Sequence, residues 1–198
     1  VTLANLDMQT TYHFTVSSTN SYGLASSSED ADFTTASPIA VTITTPTDGG
    51  TINRPDIMVK GTIANTTGNE TGVTVNGIVA NVYGDTFIAN HVPLEEGANT
   101  ITVTATDTAG YTATTSITIT SATTGNYLTI ISNIESGTPD LEPTLRIDGY
   151  DESTAPDISY TGPGDVDWTN CTSYDSCKVK LTAEGIYYFT ATGTGYDG

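Results

Sequence analysis

Basic residues are scarce in this chain of 198 residues: Lys and Arg number 5 against 23 Asp and Glu, for a formal net charge of −18. A surface so short of cations repels a phosphate backbone instead of releasing its counterions, so nucleic acid is excluded as a partner, and docking on anionic lipid is disfavoured for the same reason. Long apolar runs are missing too. None approaches the ~20 residues that a helix needs to cross a bilayer, so no membrane insertion is expected in this segment. No stretch repeats its apolar residues at the helical period, and no charged n-region followed by an apolar h-region opens the chain, so the expectation is that any export signal has been removed or lies upstream. Histidine occurs only at His13 and His91, neither beside a strained serine turn, and no catalysis is expected from either. Cysteine occurs only at Cys171 and Cys177. These flank the polar loop Thr172-Ser173-Tyr174-Asp175-Ser176 between two strand-like runs, a spacing that predicts a disulfide across a hairpin mouth. A reduced pair is the next alternative, and a metal site the last, since no histidine lies nearby to complete a zinc set.

What the chain does contain is alternation. In Val41-Thr42-Ile43-Thr44-Thr45-Pro46, Asp56-Ile57-Met58-Val59-Lys60-Gly61-Thr62-Ile63, Val73-Thr74-Val75-Asn76-Gly77 and Thr100-Ile101-Thr102-Val103-Thr104-Ala105-Thr106, apolar and polar residues alternate with period two, the pattern of half-buried strands. Asp48-Gly49-Gly50, Asn76-Gly77, Gly84-Asp85, Glu95-Glu96-Gly97 and Asp107-Thr108-Ala109-Gly110 supply turns between them. Strands at this spacing predict an all-β protein of tandem Ig-like β-sandwich modules, the terminal ones incomplete. The expected division is 1–37, 38–121 and 122–198, the last module lacking its final strand. Abundant Thr, Ser, Asn and Gly with only 14% charged residues fits an extracellular, cell-surface protein.

Two resemblances refine this. Leu6 stands six places before Tyr12 in a strand where Tyr12, Phe14 and Val16 share one face, the spacing of a tyrosine corner. With Asn20, Gly23, Ser28 and Phe33-Thr34-Thr35 following, residues 1–36 resemble the last three strands of a fibronectin type III domain. Ser37-Pro38 is the joint, and its shortness implies a semi-rigid rod. Residues 38–121 resemble bacterial Ig-like modules of the glucodextranase domain B kind, through Ile43-Thr44-Thr45-Pro46-Thr47-Asp48-Gly49, Val73 to Gly77, Phe87, Val92 to Ile101 and Thr104 to Gly110. From Tyr127 a third module reads as strands at 127–131, 144–148, 157–160, 177–181 and 185–192. These resemblances imply a fold and a habitat and fix no ligand.

Among side chains that carry chemistry, Asp165 and Asp167 would share one face of a strand, with Trp168 turned into the core, and no acid faces a base across a cleft. Calcium is the better use of acidic groups, with Asp107, Asp148 and Asp151 as the candidate ligands; Glu152 and the pair Asp30 and Asp32 are further acids of the same kind. For Asp107 the expected role is an Asx-type hairpin residue in place of a metal ligand. Eleven tyrosines could form a carbohydrate platform, though most read as core or dispersed surface rings. Asn65, Asn69 and Asn170 begin glycosylation sequons. The expectation is a non-catalytic structural or adhesive segment of a bacterial extracellular surface protein or filament, whose partners are neighbouring modules or subunits of the same protein; strand complementation between subunits is the expectation if the incomplete ends are those of a whole polypeptide. The alternative is an accessory spacer or polysaccharide-binding module of a secreted carbohydrate-active enzyme.

Overall fold

The computed structural model describes residues 2–122, 125–150, 155–194 and 196, and every regular element among them is a β-strand. No helix of the described residues is long and apolar enough to cross a membrane.

The first segment holds four short strands, β1 (Thr11–Phe14), β2 (Ser17–Thr19), β3 (Ala25–Ser27) and β4 (Ala31–Thr34). β1 pairs with β4 and β2 with β3, all antiparallel, so one hairpin is broken into two ladders. Three strands were expected here; the difference arises at Val16, whose N–H donates to Ser28 Oγ at 2.9 Å while its carbonyl accepts from Ser28 N–H. The tyrosine corner is present, with the Asp7 N–H donating to Tyr12 Oη at 2.8 Å. Tyr12 and Phe14 both pack on Phe33, yet Phe14 is 44% exposed and Val16 61%.

The middle module is a two-sheet sandwich. Its strands are β5 (Ile39–Thr45), β6 (Thr51–Ile52), β7 (Asp56–Asn65), β8 (Thr71–Val75), β9 (Ile78–Val79), β10 (Asn81–Tyr83), β11 (Thr86–Pro93), β12 (Gly97–Asp107) and β13 (Thr112–Ser121). One sheet has the order β10-β11-β7-β5 and the other β6-β13-β12-β8-β9. The inward half of each alternating strand fills the space between them: Val59, Val73, Val75, Phe87, Ile101, Val103 and Ile119 are fully buried or nearly so. Gly61 lies directly across from Phe87 in the β7–β11 ladder, and a side chain there would strike the Phe87 ring and the Thr42 carbonyl. Asn76 and Gly77, with φ of 47° and 85°, form the two-residue loop between β8 and β9, a backbone that few other residue pairs accept.

The third module has smaller ladders: β14 (Thr129–Ser132), β15 (Thr144–Asp148) and β18 (Cys177–Lys178) in one sheet, β16 (Asp157–Thr161) with β20 (Tyr188–Thr192), and β17 (Val166–Asp167) with β19 (Lys180–Leu181). The run 177–181, expected as one strand, changes partner within its length: Cys177 and Lys178 pair with β15, Val179 donates its N–H to the Pro143 carbonyl just before β15, and Lys180 and Leu181 pair with β17. Leu145, Val166, Cys177 and Val179 form the core, with Trp168 half-buried against it.

Candidate functional site

The middle and third modules meet along a line of polar contacts. Strand β7 points Ile57 and Val59 inward, which leaves Asp56, Met58 and Lys60 on the outer face. Asp56 accepts from Arg54 Nε at 3.2 Å through one oxygen and hydrogen-bonds His91 Nδ1 at 2.8 Å through the other. Arg54 reaches on to Thr129 Oγ1 of the third module at 3.5 Å. Lys60 Nζ lies 4.6 Å from the ring centroid of Tyr188, and Tyr83 Oη donates to Glu184 Oε1 at 3.4 Å. A cavity of about 850 Å³ lies between these contacts.

His91 owes its place to a bulge. The inward residues of β11 are Phe87, Ala89 and Val92, and the ladder to β7 shifts register between Ala89 and Val92. The extra residue is His91, with φ of 52°, so its imidazole turns toward Asp56. The interval of three between Ala89 and Val92 is visible in the sequence and is the signal that could have located it. His13 pairs with Asp30 at 2.9 Å on the exposed surface of the first segment.

The joint on the other side of the middle module is smaller. Gln9, with φ of 50°, donates through Nε2 to the Thr112 carbonyl at 3.0 Å and accepts the Thr112 N–H at 3.3 Å, so one amide side chain pairs with the strand edge as a backbone would. Ser37 Oγ donates to the same carbonyl at 3.2 Å. Neither contact was anticipated from sequence, because each depends on which edge of β13 faces the first segment.

Of the candidate calcium ligands, Asp107 lies in the middle module and Asp148 in the third. Asp107 is buried at the end of β12, and both its oxygens are engaged: Oδ1 by the N–H groups of Ala109 and Tyr111, Oδ2 by Thr67 Oγ1 and Asn69 Nδ2. Burial pushes this carboxyl up, but the four hydrogen bonds outweigh it and hold the carboxyl below the ordinary aspartate value. Asp148 pairs with Arg146 at 2.7 Å in the third module. Asp151 and Glu152 lie outside the described residues. Among the described residues no three His, Cys, Asp or Glu side chains form a set able to hold a metal. Asp167 accepts from the hydroxyl and N–H of Thr169, which hold its carboxyl below the usual range. Asn65 and Asn69 donate their side-chain amides within the Asp107 network, so two of the three sequon nitrogens are already engaged.

Cys171 and Cys177 are disulfide-bonded and face one another as an antiparallel bridge. Trp168 packs edge-on to Phe189 with centroids 5.9 Å apart.

Residues 39–123 match the family model described as glucodextranase, domain B. The middle module is thus an Ig-like sandwich that is similar to glucodextranase domain B over those residues. No curated protein matches the chain. Among solved structures, the Clostridium thermocellum CbhA fibronectin(III)-like modules are similar at 11% identity, covering 77% of this chain and 79% of theirs, with a TM-score of 0.31. The titin domains Z1Z2 in complex with telethonin are similar at 14% identity, covering 77% of this chain and 89% of theirs, also at 0.31. Bacteroides ovatus SGBP-B, in complex with a mixed-linkage heptasaccharide, is similar at 12% identity, covering 96% of this chain and 48% of its own, at 0.24. All three are remote, and the fold assignment rests on the strand order above.

Proposed function

We propose that this chain is a non-catalytic structural segment of an extracellular protein, a stiff spacer of tandem sandwiches that holds what it carries at a set distance and orientation. One observation carries the reading: the middle sandwich is tied by side chains on both sides, through Gln9 to Thr112 and through Arg54 to Thr129. Neighbouring modules, in the same chain or in adjacent subunits, are its partners, and the exposed Phe14, Val16 and Leu24 are the apolar surface such a neighbour would cover. The disulfide supports an oxidising compartment. Small-angle scattering tests the reading. The native chain should give one maximum dimension at every salt concentration, whereas the double variant Gln9→Ala/Arg54→Ala should give a broader distance distribution with unchanged melting of each module. A native profile that needs an ensemble of module orientations would reject a stiff spacer.

The match of residues 39–123 favours a second reading, an accessory module of a secreted carbohydrate-active enzyme. In that case the natural full-length polypeptide should hydrolyse a glucan and this segment alone should not; a natural polypeptide inert on all glucans would remove it.

A further inference from the structure

The cavity between the middle and third modules has its floor on the outer face of the β10–β11–β7 sheet and its opposite wall, largely apolar, in residues from 128–145 and 181–192. On the floor, Asn81 and Tyr83 alternate onto one face of β10, and Asn81 is paired with Ile88, which places Ile88 and Asn90 of β11 on the same face. The result is a shallow apolar platform, the Tyr83 ring and Ile88, flanked by two carboxamides. Tyr83 is 49% exposed, and the side chains of Asn81 and Asn90 hydrogen-bond no described residue. Each amide therefore offers both a donor and an acceptor to whatever enters.

The charges restrict what that is. Arg54 is engaged by Asp56 and Thr129, and Lys60 lies over Tyr188, so the two Lys or Arg side chains of the middle module are already occupied. Glu135 and Glu184 also line the cavity, in a chain of net charge −18. An anionic ligand would meet repulsion without a free cation to receive it. A neutral polyhydroxy chain fits the floor: its hydroxyls donate and accept as the amides require, and its C–H faces pack on a tyrosine ring. The cavity volume of about 850 Å³ lies within the range of small-ligand sites, and junctions between domains are where such sites concentrate. We propose that this cleft binds a neutral oligosaccharide, with Tyr83 as the stacking surface and Asn81 and Asn90 reading its hydroxyls. The proposal goes beyond the spacer reading. Its three contact residues belong to the middle module, and Asn81 and Asn90 make no tie to the third, so Asn81→Ala/Asn90→Ala tests binding without touching the joint.

Affinity electrophoresis of the chain through gels containing dextran, laminarin, mixed-linkage glucan, xylan or mannan tests it. At least one polymer should retard the native chain. Asn81→Ala/Asn90→Ala and Tyr83→Ala should each lose about tenfold or more in affinity with unchanged melting. Tyr83→Phe, which keeps the ring and loses the bond to Glu184, should bind as the native chain does, and so should Tyr22→Ala, which removes an exposed ring from the first segment. The proposal is overturned if no polymer retards the chain, if the Asn81/Asn90 and Tyr83→Ala variants bind normally, or if Tyr22→Ala alone abolishes binding.

Discussion

At the residue scale, the few cations of this chain are all committed. Arg54 is paired with Asp56, Arg146 with Asp148, Lys178 with Glu142 and Lys180 with Asp140, while Lys60 lies over Tyr188. What remains on the surface is anionic, so the chain has no free basic patch to offer a polyanion. Gly61 is the residue least able to change. Gly61→Ala should lower stability by about 3 kcal/mol in urea denaturation through overpacking against Phe87 and Thr42; a loss within experimental error would mean the ring is free to move. Asp107 predicts a pH effect with a definite sign. Its carboxyl is held down in the folded state, so its contribution is complete above the unfolded aspartate value of about 4 and is lost as pH falls through the folded value. Relief of self-repulsion in so acidic a chain works in the opposite direction. The difference in melting temperature between native and Asp107→Asn protein should therefore shrink on acidification; a constant difference would show that the network does not depend on the ionised form. Because that network consumes both oxygens, any change in melting temperature on adding EDTA or calcium should be the same for native and Asp107→Asn protein; a response lost in the variant would contradict this. The turn role of Asp107 was legible in Asp107-Thr108-Ala109-Gly110, but its partners Thr67 and Asn69 were not. They arrive from a loop some 40 positions earlier in the sequence, and only the folded sheet brings it there.

At the element scale, alternation and turn chemistry were the readable parts. Strict period two through β7, β8 and β12 decides which side chains enter the core, and Asn76-Gly77 decides a hairpin. Interruptions were harder to see. The Val16–Ser28 break in the first hairpin depends on a serine hydroxyl replacing a backbone partner, and the division of 177–181 depends on a change of partner strand from β15 to β17. The disulfide staples this smaller third core, where Cys177 is fully buried. Its loop is short, so reduction should lower the stability of the third module by roughly 2 kcal/mol at most. Calorimetry with and without reductant should show the third module melting earlier and the middle one unmoved; a shift of both together would mean they unfold as one unit.

At the scale of the whole molecule, what matters is whether the sandwiches move together. The sequence announced modules and short joints, yet the ties themselves use outward-facing side chains, Gln9, Arg54, Lys60 and Tyr83, whose neighbours no strand pattern specifies. His91 shows the same limit: its spacing betrays the bulge, and only the fold supplies Asp56. Ties of this kind are individually weak, as exposed polar contacts are, and they hold a joint only in combination with a short linker. The most direct measurement is ¹⁵N relaxation of the intact chain, which reports a rotational correlation time for each module. A stiff array predicts the same anisotropic tumbling for the middle and third modules, lost only when Arg54, Lys60 and Tyr83 are replaced by alanine together. Separate, faster correlation times in the native chain would contradict it, and would leave the sandwiches as independent beads on a string.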